Sequence, residues 1–380
     1  MTRFEPFHQQ LDALERAGRK RSLIIPPGKD FSSNDYLGLA NSDFLRQAAH
    51  AALDSGIAHG SGGSRLLGGN HPEHEELEQF AATHYGAEAA LFFSTGYAAN
   101  LALFSTLPQK GDLVLFDELV HASCHDGMRL GRAETQGFRH NDLDDLTDRL
   151  NAYRSGGGTG MIWITAETLY SMDGDQAPLR ELADIAGRHD AILILDEAHA
   201  VGVFGERGVG LSGALEQQDN LIVLRTCGKA LGGEGGLVTL PQVLRDFFIN
   251  RARAFIFSTA PSPLTAHLVQ KAIEYVAQNP ALQSRLHDHI RLAESRLGPL
   301  CPASRSGSQI FPVIIGDDKA AMQMAVHIQQ AGFDVRAIRP PTVPAGTARL
   351  RLSLTLNVSE DDIHALADIF DEARKVGQAA

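Results

Sequence analysis

A lysine attacks a carbonyl only as the free amine, and at a pKa of about 10.4 roughly one molecule in two thousand holds that form at pH 7. Nucleophilic use therefore demands a strongly lowered pKa or an existing Schiff base. Lys229 is a candidate, because it lies between Cys227-Gly228 and Ala230-Leu231-Gly232-Gly233, a stretch where a bulky ligand can approach the backbone. Upstream, Asp196-Glu197-Ala198-His199 sets a carboxylate and an imidazole three residues apart. In a helicase such a motif serves a magnesium held on a nucleotide, which requires a G-x-x-x-x-G-K-[ST] loop elsewhere. The two Gly-Lys pairs, Gly28-Lys29 and Gly228-Lys229, are followed by Asp30 and Ala230 and lack a glycine five positions before their own. The aspartate and histidine need another employment.

A mainly parallel α/β sheet is expected to position them. Between Leu91 and Leu240 short apolar runs alternate with polar or helical segments, the pattern of parallel strands joined by crossovers. The runs are Ala90–Ser94, Leu113–Phe116, Met161–Thr165, Ala191–Leu195 and Leu221–Leu224, each nearly continuous and so covered on both faces. Between two of them, Pro178 opens a helix with Leu179, Leu182, Ile185 and Ala186 on its buried face. Ligands of open parallel sheets sit outside the carboxyl ends of the strands. After the first run comes a glycine turn into a helix, Thr95-Gly96-Tyr97, whose free amides can hold a phosphate. Asp117 and His121 follow the second run, Glu167 and Ser171 the third, Asp196 and His199 the fourth, Thr226 and Lys229 the fifth.

Residues 1–40 read as an N-terminal arm with a short helix around Leu11–Ala17 and a Pro26-Pro27-Gly28 turn; residues 41–275 form the large domain. Residues 276–380 form a smaller α+β domain. There Leu286, Ile290, Ala293 and Leu297 recur at helical spacing, Ile310–Ile315, Phe333–Ile338 and Ala348–Leu354 read as strands, Asp318–Ala331 as a helix, and Ser359 caps the last helix. A formal charge of −12 over 380 residues offers no general attraction to nucleic-acid phosphates. Three scattered cysteines, Cys124, Cys227 and Cys301, fit a reducing compartment better than a disulfide framework. With no signal-like N-terminus and no run of about 18 apolar residues, a cytoplasmic, non-membrane protein is expected.

Pyridoxal phosphate (PLP) supplies the Schiff base that Lys229 requires, and the crevice offers an aspartate for its pyridinium nitrogen, a ring to stack on it and hydroxyls for its phosphate. The chain resembles the PLP-dependent α-oxoamine synthases over nearly its whole length. The resemblance is carried by Ser33-Asn34-Asp35-Tyr36-Leu37-Gly38-Leu39, Gly60-Ser61-Gly62-Gly63-Ser64, His121-Ala122-Ser123, Tyr170-Ser171-Met172-Asp173-Gly174-Asp175, Asp196–His199 and Thr226–Lys229. Its most specific piece is the segment from Ile338 to Leu352, with Arg339-Pro340-Pro341-Thr342-Val343-Pro344 and Arg349-Leu350-Arg351. The resemblance implies the aspartate aminotransferase-like fold type I of PLP-dependent transferases. It further implies that Lys229 holds the cofactor and shuttles the α-proton, that Asp196 pairs with the pyridinium nitrogen, and that His199 and Ser171 lie near the phenolic oxygen. His121 would stack on the ring. Gly96, Tyr97 and Thr226 would hold the phosphate, joined by Ser258 and Thr259 from the partner in a homodimer with shared sites. Arg351 would take the amino-acid carboxylate, with Asn34 nearby.

The reaction so implied is a decarboxylative condensation of L-alanine with a pimeloyl thioester, on coenzyme A or a carrier protein, as in biotin biosynthesis. Sister enzymes using glycine, and a non-catalytic binding protein on the same fold, are the alternatives. Other readings compete at single residues. His121, Cys124 and His125 have the spacing of a zinc site, though stacking suits His121 better. His71 and His74 read as a solvated helix start, and the glycines from 60 to 69 as either an anion nest or a tight loop. Arg349 and Arg351 alternate on one strand, so one should face inward and the other solvent. Glu234, where the family has a small or hydroxyl residue, and the short N-terminal arm depart from the family pattern.

Overall fold

The structure is a computed structural model that describes residues 3–25, 27–300 and 307–378; Cys301 and the Pro26 end of the expected turn lie outside the described residues. Seven strands form the main sheet: β2 (Ala89–Phe93), β3 (Leu113–Asp117), β4 (Glu134–Phe138), β5 (Ile162–Glu167), β6 (Ala191–Asp196), β7 (Leu221–Thr226) and β8 (Gly236–Leu240). Their order is β2-β8-β7-β6-β5-β3-β4. The five apolar runs all become strands, and β3 to β7 pair in parallel. Two strands were not evident in the sequence. β4, Glu134-Thr135-Gln136-Gly137-Phe138, is an edge strand whose first residues are exposed, so it lacks an apolar run. β8 runs antiparallel between β7 and β2 and follows the glycine loop that carries Lys229.

That loop is tight. Cys227 N donates to Gly235 O and Gly233 N to Cys227 O, both at 2.9 Å. Gly235 has φ +111°, and a Cβ there would lie 2.3 Å from the Phe92 ring. A glycine is therefore required at this corner, which leaves Lys229 at a fixed height above the end of β7.

Apolar clusters cover the sheet. Leu103, Phe104, Trp163 and Phe248 are buried in one, and Leu115, Leu150, Leu193 and Val223 in another. The helix Leu179–Arg188 buries Leu182, Ala183, Ile185 and Ala186, with Pro178 at its N-cap rather than inside its first turn. A further cluster runs from Phe31, Tyr36 and Leu37 through the helices Pro263–Gln278 and Pro280–Leu297 to a smaller sheet. That sheet is antiparallel, in the order β11 (Arg336–Ile338), β12 (Ala348–Ser353), β9 (Ile310–Gly316). β1 (Lys29–Asp30) pairs in parallel with β10 (Phe333–Asp334), so the single strand expected over Phe333–Ile338 is divided in two. Burying an aromatic such as Phe31 contributes about 1.5–3 kcal/mol, and this fixes the segment around Tyr36 against the site.

Other local expectations change on contact with the fold. His74 is fully buried with its Nε2 2.8 Å from Pro261 O, so the helix start there is capped and enclosed rather than solvated. The loop from Gly60 to Gly69 closes on itself: a Cβ on Gly69 would lie 2.1 Å from Gly63 O. The helix Glu5–Arg16 buries none of its residues, and Phe7, Leu11 and Leu14 on it are exposed. No helix among the described residues is long and apolar enough to cross a membrane.

Candidate active site

β5 and β6 end side by side, with Glu167 opposite Asp196 in the register. Asp196 is buried; its Oδ2 accepts from Asn100 Nδ2 at 2.9 Å and its Oδ1 from the Ala198 amide at 2.9 Å. Both oxygens are thereby aimed. The next residue, Glu197, is buried elsewhere, accepting from the Leu211 and Ser212 amides. In Asp196-Glu197-Ala198-His199 the first and last residues thus serve the site and the second holds a loop.

Lys229 reaches the same place from the β7–β8 loop, its Nζ 2.7 Å from His199 Nε2. His199 Nδ1 lies 2.6 Å from Tyr36 Oη, and the His199 carbonyl accepts from Gln309 Nε2 at 2.7 Å. Tyr36 in turn donates to Asn34 Oδ1 at 3.0 Å and lies 3.5 Å from Arg351 Nη2. Arg351 is buried, with Nε donating to Ser171 O at 2.6 Å and Nη1 to Ser353 Oγ at 2.7 Å. One hydrogen-bonded chain therefore links Lys229, His199, Tyr36 and Arg351.

Arg349 corrects the expectation for its strand. Only 5% of it is exposed, because its guanidinium is ion-paired with Asp173 while Nε donates to Thr347 O. Residues two apart on a strand share one face, so Arg349 and Arg351 both point to the loop after β5, which encloses them. A cleft of 560 Å³ opens here, lined by Arg21, His121, Tyr170, Ser171, Thr342 and Arg349 among others. Its volume is in the range that holds a small-molecule ligand.

Burial sets the protonation states. It lowers Lys229 to about 8, against the pull of Asp196 and Glu167, so the free amine is far more abundant than in an exposed lysine. Burial also raises Glu167 to about 8, with the Asp196 charge acting in the same direction. Glu167 Oε2 accepts from the Ser171 amide at 3.2 Å, while Oε1 is buried with no hydrogen-bond partner in the structure. His199 falls well below its ordinary range through burial and then the Lys229 charge, so it is a neutral imidazole. Burial lowers His121 as well.

His121 caps the helix Ala122–Leu130, with Nδ1 2.7 Å from Ser123 Oγ, and its ring lies edge-on to Tyr97 at 6.5 Å. Cys124 is packed in an apolar cluster. Thr95 caps the helix Gly96–Thr106 through the Ala98 amide. Thr226 stands against that helix start, and a Cβ on Gly96 would lie 2.4 Å from Thr226 Cγ2. Ser258 and Thr259 are exposed, as is Glu234. The sequence argument had not given roles to Tyr36, Asn100, Gln309 or Arg349. Tyr36 and Arg349 lie inside motifs quoted for other residues, and Asn100 follows Tyr97 by three residues on the same helix, whereas Gln309 carries no local signal.

The chain belongs to the aminotransferase class I and II family, whose model matches residues 27–370. It is 39% identical over 379 residues to the 8-amino-7-oxononanoate synthase of Chlorobaculum parvum, covering 96% of this chain and 95% of the relative. Among solved structures, the 8-amino-7-oxononanoate synthase of Francisella tularensis superposes with a TM-score of 0.78 at 28% identity, covering 92% of this chain and 99% of that one. A serine palmitoyltransferase structure containing PLP superposes with a TM-score of 0.88 at 29% identity over 98% of both chains.

The family is PLP-dependent, and the donor set fits that cofactor. Asp196 is an aimed, buried carboxylate, Lys229 an amine with a lowered pKa, and His121 an imidazole at the cleft. The space beside Thr226 that a Cβ on Gly96 would fill lies at a helix N-terminus, where backbone amides favour a phosphate. Gly96→Ala should weaken PLP binding by about tenfold, the scale of one charged hydrogen bond. Titration of the apoprotein measures this; unchanged affinity would place the phosphate elsewhere.

Proposed function

We propose that the chain is an 8-amino-7-oxononanoate synthase, joining L-alanine to a pimeloyl thioester with release of the thiol and carbon dioxide. The observation that carries this reading is the single buried chain from the Lys229 amine through His199 and Tyr36 to Arg351, beside the aimed Asp196. PLP bound there supplies an electron sink for negative charge at the amino acid's α-carbon. Asp196 holds a proton on the ring nitrogen. Arg351 takes the alanine carboxylate through its Nη2 end, the end with only the 3.5 Å contact to Tyr36. Lys229 would hold the cofactor's aldehyde and, as a free amine, take the α-proton; its lowered pKa suits it to act as a base near neutral pH. His121 would hold the ring face, Ser171 its phenolic end, and Gly96, Tyr97 and Thr226 its phosphate.

Two features support a homodimer with Ser258 and Thr259 reaching the partner's phosphate. Both residues are exposed in the single chain, and so are Phe7, Leu11 and Leu14 on the N-terminal helix. The scattered cysteines support a cytoplasmic setting.

The structural overlap with serine palmitoyltransferase makes serine the second amino acid to test. Fold similarity does not choose a substrate, and the relatives at 39–41% identity bear the 8-amino-7-oxononanoate synthase name. Incubation with pimeloyl-CoA and either alanine, glycine or serine tests the choice. Alanine alone should release CoA and carbon dioxide at a useful rate; turnover with serine or glycine but not alanine would reassign the substrate.

A further inference from the structure

A second charged cluster joins three neighbouring strand ends on the far side of Tyr170. Asp117 ends β3, His140 and Asn141 follow β4, and Asp175 closes the loop after β5. His140 Nδ1 is 3.0 Å from Asp117 Oδ1, and its Nε2 is 2.7 Å from Asp175 Oδ2. Asn141 ties the same two carboxylates, its amide nitrogen donating to Asp117 Oδ2 at 2.8 Å and its Nδ2 to Asp175 Oδ2 at 3.1 Å. The Tyr170 ring meets the His140 ring edge-on at 4.4 Å.

Asp175 also closes the loop on itself. Tyr170 N donates to Asp175 O and Gly174 N to Tyr170 O, both at 2.9 Å. Gly174 has φ +72°, and a Cβ there would lie 2.5 Å from Ile310 O, so the loop is seated against β9. From this loop the Ser171 carbonyl receives Arg351 Nε, and the Asp173 carboxylate pairs with Arg349. The loop is therefore the only described partner shared by both arginines of β12 that also contacts the strand-end charges.

We propose that His140 is a positioning residue for amino-acid binding: between Asp117 and Asp175 it fixes the 169–176 loop, whose Ser171 holds Arg351 and whose Asp173 holds Arg349 at the cleft. The inference rests on the reading of Arg351 as the carboxylate binder. Burial opposes the charge on His140, but the hydrogen bonds with Asp117 and Asp175 raise it to about 10, so the cation persists at neutral pH. Glu118, whose Oε1 accepts from the His140 amide at 3.1 Å, adds a further negative group. Without the cation, Asp117 and Asp175 repel each other across one neutral side chain.

The test compares His140→Leu, Asp175→Asn and the double variant in the PLP-loaded enzyme, using whichever of alanine, glycine or serine the natural chain turns over. His140→Leu should raise KM for the amino acid about tenfold, the scale of one charged hydrogen bond, with a much smaller change in kcat and with PLP content retained. The amino-acid dissociation constant, read from the cofactor's absorption without turnover, should rise by the same factor. Removing the repulsion in His140→Leu/Asp175→Asn should recover part of both. A folded, PLP-loaded His140→Leu protein with unchanged KM and dissociation constant would overturn the proposal, as would a rise in KM matched by equal losses of kcat and thermal midpoint that Asp175→Asn does not relieve. Arg351→Ala checks the underlying reading separately: it raises the same dissociation constant if Arg351 binds the carboxylate. No rise there, alongside a His140→Leu effect, would show His140 acting through another group and overturn the inference.

Discussion

Lys229→Ala should lower condensation by at least about 10³-fold, within the range that a positioned proton-transfer group contributes, while leaving a folded protein that still takes up PLP. Two roles disappear with one amine: the covalent hold on the cofactor and the base that reaches the α-carbon. Little else in the site depends on it for packing. His199 keeps Tyr36 at 2.6 Å, and Asp196 keeps Asn100 and the Ala198 amide. The thermal midpoint should therefore hold or rise, since a buried amine lowered to about 8 carries a desolvation cost that alanine does not. Turnover with alanine and pimeloyl-CoA, alongside a melting curve, checks both parts. Retained turnover would remove Lys229 from the chemistry.

Asp196→Asn is the second large effect. The change is nearly isosteric, and the amide oxygen can still accept from the Ala198 N–H. What it loses is the acceptor for Asn100 Nδ2 and, on the proposed role, the negative charge that keeps a proton on the ring nitrogen and with it the pull on electrons from the α-carbon. Loss of one preorganised electrostatic group at a reacting centre costs roughly 10²–10³-fold in kcat, and that is the loss expected here with KM for alanine little changed. Arg351, the proposed carboxylate binder, is not among the direct partners of Asp196. A large rise in KM with kcat preserved would show that Asp196 binds substrate rather than tuning the cofactor.

These two residues were legible in the sequence because chemistry and topology pointed to them together. Continuous apolar runs gave β2, β3, β5, β6 and β7, and the polar residues at their carboxyl ends included Lys229, Asp196, His199, His121 and Thr226. A polar edge strand offers no such run, which hid β4, and His140 with it. Antiparallel β8 was hidden differently: its five residues, Gly236 to Leu240, directly follow a glycine-rich loop whose geometry only Phe92 and the strand partners reveal. Long-range contacts were the least legible. The expectation that Arg349 and Arg351 face opposite ways misapplied the alternation, since residues two apart share a strand face; that the face is enclosed follows from Asp173 and Ser171, far back in the chain. Tyr36, Asn34 and Gln309 join the site from segments remote in sequence, so their roles follow from packing and not from spacing. The departure at Glu234 places an exposed carboxylate near the lysine loop.

The amine at position 229 is the proposed attachment point of the cofactor. Borohydride reduction of the PLP-loaded natural chain, followed by peptide mass mapping, tests it most directly. A pyridoxyl-phosphate mass is expected on the peptide containing Lys229 and none on Lys20, Lys29, Lys110, Lys271, Lys319 or Lys375. A reduced label on any of those lysines, or a fully loaded protein that takes no label at Lys229, would contradict it.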